Sequence, residues 1–143
     1  MKKEMNNKGF SLVELIIVIA IMAVLIGVLA PQYLKYVNNS KVSTDVTNAQ
    51  EIATNFNVAM ADGASDLGTG ASGVGGTNSN IPTSVSATME YWPLSKLDKT
   101  ATWTVTIGSN GVSKITLGAT PATTYEIYPN PESSNGYYTK NHK

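Results

Sequence analysis

The chain contains no cysteine and no arginine, and its only histidine is His142, close to the end of the sequence. The absence of cysteine excludes disulfide bonds, thiolate nucleophiles and zinc sites built on cysteine. Without arginine there is no bidentate guanidinium to recognise carboxylate or phosphate groups. Because no nucleophile, base and orienting group can be named, the sequence predicts a protein that is not an enzyme.

Charge is also scarce and balanced. Charged residues make up 14% of the 143 residues, and ten lysines stand against ten acidic residues. Such a chain generates no broad positive field, so nucleic-acid binding is not expected. No calcium-loop pattern is present, and the G-x-G-x-x-G match at residues 68–73 follows a predicted helix rather than a strand. We therefore expect neither a metal nor a cofactor.

Apolar residues, by contrast, are concentrated in one run near the N-terminus. Residues 1–9 are polar and contain three lysines, whereas residues 12–30 are almost wholly apolar, with Glu14 as the only charge. At about 1.5 Å per residue, a helix over residues 10–31 extends roughly 33 Å, enough to cross the hydrocarbon core of a bilayer. Lysines before such a segment predict a cytoplasmic N-terminus and an exported C-terminal part.

A secretory signal peptide and a plain membrane anchor are two ordinary explanations for this run. A signal peptide needs a small-residue cleavage site after its apolar core, and Pro31 directly after Ala30 is a poor context for one. A plain anchor leaves Glu14 unexplained, because a carboxylate in mid-membrane costs roughly 2.5–3.5 kcal/mol on insertion scales. Such a group usually has a partner.

The segment Lys8-Gly9-Phe10-Ser11-Leu12-Val13-Glu14-Leu15 resembles the class III signal of type IV pilins. A short basic leader ends in glycine, an aromatic residue follows, and a glutamate stands four residues later in an apolar stretch. The resemblance implies a pilin precursor whose residues 1–9 are removed by a prepilin peptidase, which cuts between Gly9 and Phe10. It also implies N-methylation of Phe10. The absence of cysteine is similar to pilins of Gram-positive bacteria.

Cleavage would leave two charges near the start of the apolar helix, the amino group of Phe10 and the carboxylate of Glu14. An unpaired charge is costly in a low dielectric, so pairing between neighbouring subunits would favour one docking register. Phe10 and Glu14 are therefore the predicted assembly residues. The alternative is that Glu14 pairs within its own chain or is protonated in lipid.

A helix break is expected at Gly27 and Pro31. Proline inside a helix removes one backbone hydrogen bond and clashes with the preceding turn. In assembled pili of the similar family, the helix between such residues can lose its regular form, which implies a subunit that extends under load. A simple kink that tilts the following part of the chain is the alternative.

The second half of the helix is predicted to be amphipathic. From Val42 to Met60 apolar residues recur at spacings of three and four, which place them on one helical face. The helix should end near Asp62 and Gly63, where glycine supplies the C-terminal cap. Residues 63–80, rich in glycine, serine and threonine, are predicted to form a loop.

The rest of the chain, residues 86–143, is predicted to form an antiparallel sheet and a tail. Apolar residues alternate with threonines over 102–107, and a glycine-bounded turn at 108–111 leads into a return strand. Further strands are expected over 123–128 and, with a weaker signal, around 86–92. Because no disulfide can close the C-terminal region, packing or hydrogen bonds must hold it.

The predicted fold is α+β, with one long N-terminal helix packed on a small antiparallel sheet. Residues 10–31 form the membrane-spanning first half of that helix, and residues 32–143 form the head. By resemblance, the protein polymerises into type IV pilus filaments on a bacterial surface and supports adhesion, motility or biofilm formation. The alternatives are a pseudopilin of a type II secretion or competence system and an exported, membrane-anchored binding protein that never polymerises.

The same resemblance implies partners and a location. The partners are other copies of the chain, the prepilin peptidase, the inner-membrane assembly platform and minor pilins, with membrane lipid before assembly. The precursor would lie in the cytoplasmic membrane with its head outside, and the mature subunit would lie in an extracellular filament.

Overall fold

The structure is a computed structural model and describes residues 9–74, 81–89, 91–118, 124–133 and 136–137. The elements in chain order are α1 (Leu12–Ala61), β1 (Gly70–Val74), α2 (Thr83–Ser86), β2 (Thr102–Gly108), β3 (Gly111–Gly118) and β4 (Tyr125–Tyr128). The four strands form one antiparallel sheet in the order β1-β2-β3-β4. One long N-terminal helix packed on an antiparallel sheet is a pilin-like α+β fold, which confirms the predicted fold class.

The chain divides into two compact units, Met1–Tyr36 and Val37–Lys143. In the described part of the first unit, the large apolar side chains are exposed, from 46% at Val18 to 87% at Phe10. The second unit contains the C-terminal part of α1, the sheet and the buried core. Among the described residues, the buried apolar side chains therefore all belong to the second unit.

The core of the second unit lies between one face of α1 and the inner face of the sheet. The predicted apolar face of the helix is confirmed, and its buried members are Val42, Val46, Ala49, Ile52, Ala53, Phe56 and Ala59. Trp92 and Trp103 are fully buried in the same core. The rings of Phe56 and Trp92 meet edge to face with centroids 6.3 Å apart, a favourable geometry for aromatic quadrupoles.

The end of α1 is a Schellman motif. Gly63 has a φ of +79°, in the left-handed region that glycine adopts without strain. Its N–H donates to the carbonyl of Met60, and the N–H of Ala64 donates to the carbonyl of Ala59, both at 3.0 Å. These are the two hydrogen bonds that define this cap, so the predicted end of the helix is confirmed.

The β2–β3 hairpin also follows the sequence pattern. Trp103 and Val105 point into the core, whereas Thr104 and Thr106 are exposed on the other face. The tight end of the hairpin pairs Gly108 with Gly111. The alternation of buried and exposed residues is the one expected for an antiparallel sheet with one face on a helix.

The hairpin turn is fixed to the helix by Asn57 of α1, whose side-chain oxygen accepts the N–H of Val112 at 2.9 Å. Gly111 passes closely over this amide with a φ of +130°. A Cβ added at Gly111 would lie 2.6 Å from the same oxygen. The turn therefore requires glycine both for its backbone conformation and for space.

The prediction of a continuous loop over residues 63–80 is wrong, because residues 70–74 form the edge strand β1. This strand pairs antiparallel with β2, from Gly70 opposite Thr106 to Val74 opposite Thr102. Its sequence, Gly-Ala-Ser-Gly-Val, has low intrinsic strand propensity. The strand therefore forms because the edge of β2 offers N–H and C=O groups with which residues 70–74 can pair. Residues 75–80 of the predicted loop lie outside the described residues.

The weaker strand prediction around residues 86–92 is also wrong for the described part of that segment. Ser86 ends the short helix α2, a turn follows at residues 87–88, and Trp92 is buried in the core. Burial of the large indole ring of Trp92 therefore does not depend on strand pairing. The strand expected over residues 123–128 is confirmed from Tyr125, and Thr123 lies outside the described residues.

Candidate functional sites at the N-terminus and in the head

The first candidate site is the junction before α1. The helix begins at Leu12, so Gly9 and Phe10 precede its first residue, and the side chain of Phe10 is exposed. The peptide bond between them therefore lies outside the helix and next to an accessible aromatic ring. Residues 1–8 of the predicted leader lie outside the described residues.

The surroundings of Gly9 leave room for a side chain. A Cβ added at Gly9 would meet nothing within 4 Å. A larger residue would therefore find space at this position. Any requirement for glycine at position 9 therefore comes from a protein that binds this segment.

Glu14 has a partner within its own chain. Its Oε2 accepts the backbone N–H of Ser11 at 2.8 Å. Ser11 directly precedes the helix and Glu14 is its third residue, the spacing of a capping box, in which glutamate reaches back to an otherwise unpaired N–H. A carboxylate in the first turn is also favoured by the helix dipole. The sequence contains the S-x-x-E signature of this cap, which our sequence reasoning missed.

The segment after Leu12 can cross a membrane by length and composition. It contains an 18-residue window with a mean hydropathy of 3.1, and none of that window is buried. A core helix of a soluble protein would bury such a face, so the exposed side chains need lipid or another apolar surface.

The predicted weak point at Gly27 and Pro31 is helical in the single chain, because α1 runs through both residues. Pro31 stands four residues after Gly27 and has no N–H, so the helix lacks its usual donor to the Gly27 carbonyl. A Cβ at Gly27 would meet nothing within 4 Å. Loss of helix here remains a prediction for the assembled subunit.

The second candidate site is a buried polar cluster in the head, centred on Asp45 of α1. The side chain of Asp45 is fully buried. Its Oδ2 accepts the hydroxyls of Ser95 at 2.7 Å and Tyr137 at 2.8 Å, and the N–H of Leu97 at 3.2 Å. Its Oδ1 accepts the N–H of Lys96 at 2.6 Å. We call these five residues the Asp45 cluster.

The Asp45 cluster joins segments that are distant in the sequence. Its donors lie 50 to 92 residues after Asp45 in the chain. All four donors are neutral groups, and several such bonds compensate a buried carboxylate for its lost hydration. Burial, together with the hydrogen bond to Asp45, raises the pKa of Tyr137 far above its ordinary value, so its hydroxyl stays protonated as a donor.

This cluster holds the C-terminal region that no disulfide can close. Tyr137 reaches Asp45 through its hydroxyl, and its neighbour Gly136 forms a parallel bridge with Glu126 of β4. A Cβ at Gly136 would overlap the carbonyl of Pro131, so the chain is tightly turned there. In the described part of this region, a hydrogen bond and a β-bridge therefore hold residues 136–137.

Sequence reasoning missed Asp45, although one signal was present. Asp45 lies on the apolar face of α1, three residues after Val42 and next to Val46. An acidic residue on the buried face of an amphipathic helix needs hydrogen-bond partners from the opposing layer. The sequence could therefore have indicated a buried carboxylate, but not which residues would satisfy it.

Two exposed aspartates organise loops of the head. Asp66 accepts the N–H of Ser84 at 3.0 Å and its hydroxyl at 2.5 Å, and these bonds lower the pKa of Asp66. Asp98 accepts the hydroxyl and N–H of Thr100, which lower the pKa of Asp98 in the same way. Within the described ranges, no group of three or more acidic, histidine or cysteine side chains is placed to hold a metal ion.

Comparison with known proteins gives a match at the first of these sites. Residues 5–30 match the family described as the prokaryotic N-terminal methylation motif. The motif covers Gly9, Phe10 and Glu14, so the predicted class III signal is confirmed. Together with the pilin-like fold, it supports the pilin and pseudopilin class, whose members are structural proteins and not enzymes.

The chain is also distantly similar to type IV major fimbrial proteins FimA of Dichelobacter nodosus. One is 35% identical over 75 residues, which cover 52% of this chain and 46% of that protein. A second is 37% identical over 57 residues, which cover 40% of this chain and 36% of the relative. The match thus spans less than half the length of these curated relatives, and no solved structure matches the chain significantly.

Proposed function

We propose that this chain is the precursor of a type IV pilin, a structural subunit that polymerises into filaments on the bacterial surface. The observation that carries the proposal is the methylation motif at residues 5–30, at the start of an apolar helix that leads into a pilin-like head. Adhesion, motility or biofilm formation would be activities of such a filament.

Processing is the first step of the proposal. A prepilin peptidase removes residues 1–9 and methylates the new amino group of Phe10. The scissile bond between Gly9 and Phe10 lies before the first residue of α1, where an enzyme can bind it in an extended form. Because Gly9 has open surroundings, the need for glycine is assigned to the peptidase rather than to folding.

Assembly follows from the exposed apolar unit. Removal of apolar surface from water is worth roughly 25 cal/mol per Å², so the exposed side chains of the first unit require an apolar environment at every stage. Membrane lipid covers them before assembly, with the head outside the cytoplasmic membrane, and other copies of the chain cover them in the filament. The inner-membrane assembly platform and minor pilins would move the subunit from one environment to the other.

Glu14 has two roles in this proposal. It caps its own helix through Oε2, and it pairs with the Phe10 amino group of a neighbouring subunit. The two roles are compatible, because an ionised carboxylate has two oxygens that can accept several hydrogen bonds. The pair fixes the register between subunits because a displaced subunit would leave both charges unpaired in a low dielectric.

Gly27 and Pro31 give the filament a place to extend. The Gly27 carbonyl lacks its usual helical donor, so less hydrogen bonding is lost there when the helix unwinds. Contacts between subunits would replace the helical hydrogen bonds in the extended form. This step is an expectation for the assembled state.

Mass spectrometry of the N-terminus tests the proposal in native cells. A methylated Phe10 terminus in the sheared surface fraction is expected for a processed filament subunit. The same terminus confined to the membrane fraction would instead indicate a pseudopilin. An intact Met1 terminus would contradict processing and indicate a plain membrane-anchored protein.

Substitution of Gly9 provides the matched test. Gly9→Val should prevent cleavage, because the peptidase would no longer accommodate the residue before the scissile bond. Gly73→Val is the control, since a Cβ at Gly73 also meets nothing within 4 Å. Cleavage of the Gly9 variant at the normal rate would remove the role assigned to this residue.

A further inference from the structure

A short aromatic segment separates the apolar run of α1 from the first half-buried residue of the chain. Tyr33 is 66% exposed and Tyr36 is 73% exposed, and Lys35 lies between them. Burial begins at Val37, which is also the first residue of the second unit. Both tyrosine rings are therefore exposed in the single chain.

The chemistry of this segment suits a membrane–water interface. A tyrosine ring is apolar at its body and polar at its hydroxyl, and tyrosine is enriched where hydrocarbon meets the headgroups. A lysine beside it can extend its ammonium group into water while its stem stays on the apolar side. Residues three positions apart lie on the same side of a helix, so Tyr33 and Tyr36 present their rings together.

The distance along the helix agrees with this position. At about 1.5 Å per residue, Tyr33 lies roughly 32 Å beyond Leu12, and a hydrocarbon core is about 30 Å thick. A span that begins at the start of α1 therefore reaches the outer headgroups at the two tyrosines. After Glu14, residues 15–30 are apolar apart from Gly27, and Pro31 and Gln32 then precede Tyr33.

We propose that Tyr33, Lys35 and Tyr36 form an interfacial anchor that binds the outer headgroup region of the lipid bilayer. The anchor sets the depth of α1 in the membrane before assembly, so that the chain leaves the bilayer at Val37. This inference rests on the membrane insertion in the proposed function but not on filament formation.

The absence of cysteine makes a direct depth measurement possible. Single cysteines at Val28, Gln32 and Ser40 of the full precursor, in vesicles of phosphatidylethanolamine and phosphatidylglycerol, are treated with a membrane-impermeant maleimide. We expect protection at Val28 and Gln32 and rapid labelling at Ser40. Labelling at Val28 would show that the segment does not span the bilayer, which contradicts membrane insertion itself.

The anchor is tested by the combined substitutions Tyr33→Ala and Tyr36→Ala. Without the rings the helix loses its fixed depth, so labelling at Gln32 should rise several-fold relative to Ser40. The double tryptophan variant should restore protection, because tryptophan is the other residue of interfacial belts. Tyr91→Ala removes an exposed tyrosine of the head and serves as the control.

Unchanged labelling at Gln32 in the double alanine variant would overturn the anchor. If that variant instead lost filaments with its depth unchanged, the tyrosines would contact other copies of the chain. That result would contradict the lipid assignment and leave the proposed pilin function intact.

Discussion

Removal of one hydroxyl from the Asp45 cluster should measure how the head is closed without a disulfide. Tyr137→Phe keeps the buried ring and deletes the donor that lies 2.8 Å from Asp45 Oδ2. A hydrogen bond to a charged group contributes about 1.5–3 kcal/mol to stability. The variant should therefore lose about 1.5–3 kcal/mol of unfolding free energy while its packing is preserved.

A double-mutant cycle separates this bond from other effects of the substitution. In an Asp45→Ala background the acceptor is already missing, so Tyr137→Phe should cost almost nothing further. The coupling energy between the two sites should then equal the single loss, about 1.5–3 kcal/mol. Asp45→Ala alone should cost more, because it leaves the hydroxyls of Ser95 and Tyr137 and two N–H groups without their acceptor.

The assay is urea unfolding of the full chain in detergent micelles, followed by tryptophan fluorescence. Trp92 and Trp103 are both fully buried in the head, so their emission reports on its unfolding. Tyr91→Phe is the matched control, because it removes a hydroxyl from an exposed tyrosine. The reasoning would be refuted if Tyr137→Phe cost less than about 0.5 kcal/mol, or cost as much with Asp45 as without it.

Two further predictions concern charge. Glu14→Gln keeps an acceptor for the Ser11 N–H but removes the charge, so α1 should still begin at Leu12 by amide NMR while the yield of sheared filaments falls. Normal filament yield in this variant would contradict the proposed pair with Phe10. Hydrogen bonds lower the pKa of Asp66 and of Asp98 below the ordinary value of 3.8. These bonds therefore stabilise the fold at pH values above 3.8, and this stabilisation should be lost as the pH falls below 3.8. The raised pKa of Tyr137 makes stability depend on pH in the opposite direction. The stability that the protonated hydroxyl contributes is fully present at pH values below the ordinary pKa of 10.0 and declines as the pH rises above it. Urea midpoints measured against pH check both signs, and Tyr137→Phe should remove the alkaline decline.

Much of the fold was predictable because its signals are local. The three- and four-residue spacing from Val42 to Met60 and the glycine at position 63 determine the face and the end of α1. Alternation over residues 102–107 determines the faces of β2. Periodicity of this kind depends on neighbours along the chain, so a single sequence is sufficient to show it.

Candidate sites were predictable to different extents. The methylation motif is a contiguous pattern, and Gly9, Phe10 and Glu14 follow directly from it. The capping role of Glu14 was also readable from the sequence, since Ser11 stands three residues before it. The tyrosine anchor depends on one further observation, the exposure of Tyr33 and Tyr36.

Other features were decided only by the tertiary structure. Residues 70–74 became a strand because β2 offered an unpaired edge, and Trp92, in a segment expected to be a strand, is instead buried in the core without strand pairing. The sequence by itself determined the helix, the hairpin and the N-terminal motif, whose interactions lie within short stretches of chain. Only the folded chain decided that Asp45 and Tyr137, 92 residues apart, would meet, because a buried carboxylate accepts whichever donors the topology brings to it.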